Sequence, residues 1–331
     1  MPILSQTTKA LWEIARPRHW VKNGFVFAPL IFAKEFSNPV AVERTLLAFF
    51  FFCFYSSCIY MINDIADIDR DRLHPKKRNR PLPSGRLSIR TVQLACAGLF
   101  LFTTAGSLML SWKFTAIGLI YATIHILYSF GGKSIVVLDG MMVASGFVLR
   151  TYAGALVIGV NFSDWLYICA LFVSLFLAFS KRRHEIILLG EEDAGHHRQI
   201  LQEYSTQLLD QIISIVTAAT LVTYSLYCID STPPAQRPSP SPSPAAGGQL
   251  SIPALTPSSA PAAGDSKASK YNPLMKYTIP FVIYGVFRYL YLVYRREEGG
   301  NPTELLLSDH PLLINGLLWL SVVFWALYFG E

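Results

Sequence analysis

Apolar residues fill long runs of this chain, and short polar or charged breaks separate them. A membrane crossing takes about 20 mostly apolar residues. On that measure the runs predict nine spans, at about 21–36, 45–66, 91–110, 113–130, 135–159, 164–183, 208–229, 274–294 and 310–329. The first, VKNGFVFAPLIFAKEF, is the shortest and is polar at its edges. The predicted class is all-α: a polytopic membrane protein whose residues 1–331 form one transmembrane domain. The breaks alternate in charge. Arg16, Arg18 and Lys22, the loop Asp67–Arg90, Lys133, the loop Lys181–Arg198, and Arg295 with Arg296 fall on one side. Lys34 and Arg44, Trp112 and Lys113, a short NFSD turn and a long Pro/Ser/Ala segment fall on the other. Positive charge in short loops marks the cytoplasmic face. The expected placement is therefore a cytoplasmic membrane, with the N-terminus and the charged loops inside. Segment 231–272 is low in complexity and cannot bury enough apolar surface to offset chain entropy. It is expected to be a disordered external loop.

Composition strengthens the assignment. Of 331 residues, 52% are hydrophobic and 15% charged, against about 25% charged in soluble proteins. Mean hydropathy is +0.37. The net charge of +6 does not indicate nucleic acid as a partner, because the basic residues sit in loops between apolar runs. No small-residue cleavage pattern follows the first apolar run, so no removed leader is expected. The five cysteines (Cys53, Cys58, Cys96, Cys169 and Cys228) lie in or beside apolar runs without metal-type spacing and read as small core residues.

The chemistry concentrates where the second run ends, at MINDIADIDRDRLHPKKRNRPLPSGR. Asp64, Asp67 and Asp71 are spaced i, i+3, i+7, which puts them on one face of a continuous helix; Asp69 falls off it. Stacked carboxylates repel without a cation, and hard oxygen donors suit Mg²⁺ completed by water and phosphate; Mn²⁺ is the alternative ion. Asn63 can add a neutral oxygen or orient a ligand. The plainer reading is a solvated helix end. However, acids at a helix C-terminus oppose its dipole, and charge at membrane depth is costly and usually functional. Arg72, His74, Lys76, Lys77, Arg78, Arg80 and Arg86 follow, on a loop stiffened by Pro75, Pro81 and Pro83. Some of these cations serve topology alone. As a set, beside carboxylates, they suit a metal-bridged diphosphate acting as leaving group. Arg150 falls inside a predicted span, where an unpaired guanidinium is costly; Asp139, Glu185 or a bound phosphate are its expected partners.

NDIADIDRD fits N-D-x-x-D-x-x-x-D, with Asn63, Asp64, Asp67 and Asp71 at the fixed positions. In a membrane protein of this length the pattern resembles the UbiA superfamily of intramembrane prenyltransferases. The resemblance implies nine transmembrane helices around a central cavity. Aromatic prenyltransferases of that superfamily carry a second aspartate-rich motif after the sixth helix. Here that place reads FSKRRHEIILLGEEDA, with Lys181, Arg182, Arg183 and Glu185 nearest the membrane. RPRHWVKNGFVFAPLIFA, HPKKRNRPLPSG, YSFGGKSIVVLDG, GFVLRTYAGA, SKRRHE and GGNPTELLLSD together resemble the decaprenyl-phosphate phosphoribosyltransferase branch. That resemblance implies 5-phosphoribosyl 1-diphosphate as donor and a polyprenyl phosphate as acceptor, in the service of cell-envelope arabinan-type glycans. It makes Asp64, Asp67 and Asp71 the Mg²⁺ ligands and Lys76, Lys77, Arg78 and Arg80 the diphosphate cations. Lys22, Lys133, Arg150, Lys181 and Arg182 then hold the remaining phosphates, with Asn63, Tyr128 and Glu185 in support. A homo-oligomer is compatible with the pattern. Two alternatives stand beside this reading: a prenyl diphosphate-dependent prenyltransferase, and a transporter using the charges as an ion path.

Overall fold

A computed structural model describes residues 2–73, 77–161, 163–189, 199–230, 273–295, 305 and 308–329. Among these, all regular structure is helical. The α-helices are α1 (Pro2–Ala15), α2 (Ala28–Phe32), α3 (Pro39–Ala66), α4 (Ile68–Leu73), α5 (Ile89–Leu110), α6 (Trp112–Phe130), α7 (Leu138–Ile158), α8 (Asp164–Leu189), α9 (Thr206–Asp230), α10 (Ile279–Arg295) and α11 (His310–Tyr328). Side chains start several of them. Asn38 accepts from the amides of Val40 and Ala41 ahead of Pro39, Ser88 accepts from Thr91, and Asp309 accepts from Leu312. These oxygens satisfy amides that a helix start leaves without an intrahelical partner.

Seven of these helices, α3, α5, α6, α7, α8, α9 and α11, are long and apolar enough to cross a membrane. Of the nine expected spans, seven are continuous helices of this kind among the described residues, and the two remaining apolar runs take a different form. Residues 21–36 do not make one helix. A 3-10 segment, Pro17–Phe27, runs into the five-residue α2. Pro17, Gly24 and Pro29 break the α pattern, and a 3-10 turn rises more steeply per residue. The 16 residues therefore have a contour of about 30 Å, which keeps the reach of a span without its regularity. Run 274–294 divides into a 3-10 piece, Pro273–Thr278, and the 17-residue α10. Segment 231–272 lies outside the described residues.

The helices pack around two hubs. Helix α3 lies against α1, α5, α6, α7 and the 3-10 segment, while α7 lies against α2, α3, α6, α8 and that same segment. One core joins Phe52, Tyr55, Phe114, Tyr121 and Val26. A second joins Phe176, Phe179, Leu209, Ile213, Tyr289 and Leu292 across α8, α9 and α10. Glycine decides one contact. A Cβ on Gly154 would collide with the carbonyl oxygen of Val26, so α7 and the 3-10 segment meet backbone to backbone. Residues i and i+3 eclipse in a 3-10 helix, and i and i+4 share a face in an α-helix. The Val26–Gly154 contact therefore also aligns Asn23 with Arg150. All five cysteines are buried and free.

Candidate active site

The acidic motif is split between two elements. Helix α3 ends at Ala66, Asp67 is its C-cap with φ −103° and ψ 8°, and α4 begins at Ile68. Backbone bonds still bridge the joint, from the Asp67 amide to Asn63 and from the Asp71 amide to Asp67. The expected single helical face is corrected accordingly. Asp64 and Asp71 are buried, at 1% and 2% exposure, whereas Asp69 is exposed and, among the described residues, pairs locally with Arg72.

Each carboxylate of the motif faces a cation from elsewhere in the chain. Arg16 pairs with Asp64 and lies over the Tyr60 ring at 5.0 Å. Arg80 Nη1 sits 3.3 Å from Asp64 Oδ1 and 2.6 Å from Asp71 Oδ2. Lys77 stands 3.7 Å from Asp71. Asp67 turns the other way. It accepts from Lys133 Nζ at 2.5 Å and from Asn63 Nδ2 at 3.2 Å. Among the described residues no three carboxylate, histidine or cysteine side chains converge as a metal-holding group. Asp64 and Asp71 share one point, and the Arg80 guanidinium fills it. That point, bounded by hard carboxylate oxygens and already occupied by positive charge, fits a divalent cation once Arg80 withdraws.

Deeper in the bundle, Arg150 is 5% exposed. The expected acidic partners do not reach it, because Asp139 and Glu185 belong to Arg182. Arg150 donates to Asn23 Oδ1 at 2.6 Å, to the Tyr121 hydroxyl at 2.8 Å and, longer, to Ser56 Oγ at 3.5 Å. Its guanidinium also lies 4.7 Å from the Tyr121 ring centroid. Among the described residues no carboxylate pairs with it. Lys22 is half-buried, and the charges acting on it, Lys181, Arg150 and Arg16, are all positive.

Arg182 sits differently from the open cation expected. Its Nε donates to Asp139 at 2.6 Å, Nη1 to Glu185 at 2.7 Å and Nη2 to the Tyr128 hydroxyl at 3.2 Å. Glu185, Tyr128 and Arg182 are therefore engaged with one another, and Lys181 reaches the same Glu185 at 3.8 Å. Arg183 faces away, to Asp210 and the Tyr294 ring. Arg78 is exposed on its loop. Lys76, with His74 and Pro75, lies outside the described residues, as do Glu191, Glu192 and Asp193.

The UbiA prenyltransferase family model matches residues 25–184. A decaprenyl-phosphate phosphoribosyltransferase of Corynebacterium glutamicum is 31% identical over 95% of this chain and 85% of its own length. Its counterpart from Mycolicibacterium smegmatis is 30% identical over 97% of this chain and 93% of its own length. The chain belongs to the UbiA family. It shares that family's fold with a UbiA homolog from Archaeoglobus fulgidus bound to GPP and Mg²⁺, at a TM-score of 0.62 and 18% identity over 96% of this chain and 99% of the other. This UbiA protein is thus a polytopic membrane transferase. The sequence pattern offered Arg16 only a topological role and gave Asn23 and Tyr121 none. Asn23 carried a usable signal: a buried amide inside an apolar run needs a partner, and its partner is Arg150.

Proposed function

We propose that this UbiA protein transfers 5-phosphoribose from 5-phosphoribosyl 1-diphosphate to a polyprenyl phosphate and releases diphosphate. The carrying observation is the excess of cations over acids. Asp64, Asp67 and Asp71 are matched by Arg16, Arg80, Lys77 and Lys133, while Arg150 and Lys22 add positive charge without a carboxylate. A prenyl diphosphate brings one diphosphate. The proposed pair of substrates brings a diphosphate and two further phosphates, which suits the extra set. The relatives named decaprenyl-phosphate phosphoribosyltransferase support the same choice over a prenyl donor.

Asp64 and Asp71 would hold Mg²⁺, or Mn²⁺ in its place, with Asp67 joining them once Lys133 releases it; the ion would supply Lewis-acid neutralisation of the departing diphosphate. Arg80, Arg16 and Lys77 leave their carboxylates and close on diphosphate oxygens as forks and point charges. Lys133 completes that wall. Arg150, oriented by Asn23 and Tyr121, and Lys22 hold a monophosphate, with Lys181 at the rim. A phosphate oxygen of the lipid forms the new bond to ribose C1 as the bond from C1 to the diphosphate oxygen breaks. The lipid phosphate is already an anion, so no side chain needs to remove a proton from it. The positive charge of the short loops supports a cytoplasmic-facing site.

The test uses purified protein with radiolabelled 5-phosphoribosyl 1-diphosphate, a polyprenyl phosphate and Mg²⁺. Label should pass into the lipid phase, and chelation should stop it. Turnover of a prenyl diphosphate onto a small acceptor, with no labelled lipid, would overturn the assignment.

A further inference from the structure

The loop between α6 and α7 carries Lys133 to Asp67, and it is held in a shape that its own residues disfavour. Val137 has φ 66° and ψ −44°, a region that β-branched residues avoid. The Leu138 amide donates to the Val136 carbonyl at 2.8 Å. This closes a γ-turn over Val137 in its rare, strained, positive-φ form. Such a conformation persists only where the surroundings over-determine it.

The surroundings that do so are specific. The Val137 amide donates to the Tyr204 hydroxyl at 2.7 Å. That hydroxyl donates to Asp139 Oδ1 at 2.7 Å, and the other Asp139 oxygen accepts from Arg182 Nε at 2.6 Å. Tyr204, Asp139 and Arg182 are all buried. Tyr204 precedes α9, Asp139 opens α7, and Arg182 lies within α8. Three distant segments thus meet on one strained peptide, five residues before which Gly132 begins the turn bearing Lys133. Burial, and then the bond to Asp139, raise the pKa of the Tyr204 hydroxyl, so it stays a donor.

We propose that Tyr204 is a positioning residue: through the Val137 amide and Asp139 it holds the γ-turn, and the turn sets where Lys133 stands against Asp67. The proposal rests on the reading of Lys133 as a cation for the diphosphate-bearing donor. It assigns Tyr204 a role that its place in the α8–α9–α10 core would not require, since phenylalanine would fill that core equally well.

The experiment compares Tyr204→Phe, Val137→Gly and the double variant. Glycine adopts positive φ without strain, so it should make the turn independent of Tyr204. In Tyr204→Phe, hydrogen exchange over residues 131–138 should quicken about tenfold. The KM for the donor should rise about tenfold, with the KM for the lipid within about twofold. Val137→Gly should stay near wild type in both readouts. The double variant should return to within about threefold of wild type, a coupling that only a shared turn produces. Unchanged exchange in Tyr204→Phe, an equal rise in both KM values, or a double variant worse than Tyr204→Phe would each overturn the proposal. If the wild type does not use the phosphoribosyl donor, the assigned function fails, and the exchange measurements still decide the role of Tyr204.

Discussion

The carboxylates of the α3–α4 joint, two of them buried, and the buried guanidinium of Arg150 are charges settled in opposite ways. Asp64, Asp67 and Asp71 each face a cation brought by another element. Arg150 faces an amide and two hydroxyls. Partnered charge must be exchanged before a ligand can enter. Unpartnered charge stands ready to attract an anion, and its desolvation is offset only by hydrogen bonds until one arrives. On the proposed function the two regions would divide the work: the first would trade its internal ions for a metal and a diphosphate, and the second would receive a phosphate directly.

Four variants sharpen or break that division. The largest effect should come from Asp64→Ala, which removes a proposed metal ligand; label transfer to lipid should fall about 1,000-fold or more. Retained turnover would return the motif to a solvated helix end. Next, Arg182→Met and Arg150→Met should part company in thermal unfolding. Arg182→Met leaves the buried carboxylate of Asp139 without its cation and should cost about 3–5 kcal/mol. Arg150→Met strands no carboxylate and should leave the melting temperature unchanged or higher, while the KM for one phosphate-bearing substrate rises about 10- to 100-fold. Equal destabilisation by the two would erase the contrast. Third, Arg80→Gln should lower the melting temperature of the metal-free protein by a few degrees, about 1–2 kcal/mol given the partial exposure of Arg80. Added Mg²⁺ should restore more stability to this variant than to wild type, since the shared point between Asp64 and Asp71 is already vacated.

The smallest effect concerns the Glu13–Arg86 pair at 2.8 Å, which ties α1 to the loop after α4. Its hydrogen bond from Arg86 holds the Glu13 carboxyl below the ordinary value of 4.5. A depressed carboxyl pKa contributes stability that is present above the unfolded-state value and lost as pH falls through the folded one. Both side chains are half exposed, so solvent screening leaves about 0.3 kcal/mol. The melting difference between wild type and Glu13→Gln should be small at neutral pH and fade as pH falls below 4.5 and through the lowered folded-state value.

Much of this architecture was legible in the residues because hydrophobic length is a local property. The seven long helices follow apolar runs, and NDIADIDRD sits where its run ends. Residues 17–32 were harder: Pro17, Gly24 and Pro29 signal interruption, but not that a 3-10 course would replace the helix. Ion pairing was the least legible feature, because it depends on which helices become neighbours. Arg150 and Asp139 share α7, yet Asp139 turns to Arg182 on α8, and Arg150 finds Asn23, 127 residues away in sequence. Arg16 stood in a charged stretch with an ordinary topological explanation, and only the folded contact with Asp64 distinguishes it.

The joint at Asp67 gives the acidic motif a mechanical property. Asp64 belongs to one helix and Asp71 to another, so their separation follows the angle between two rods rather than the pitch of one. A small swing of α4, six residues long and tethered through Arg80, would widen or narrow the gap between the two carboxylates, resisted chiefly by the two backbone bonds that bridge the joint. On the proposed metal reading, adjusting that hinge would let one motif close around cations of different radius.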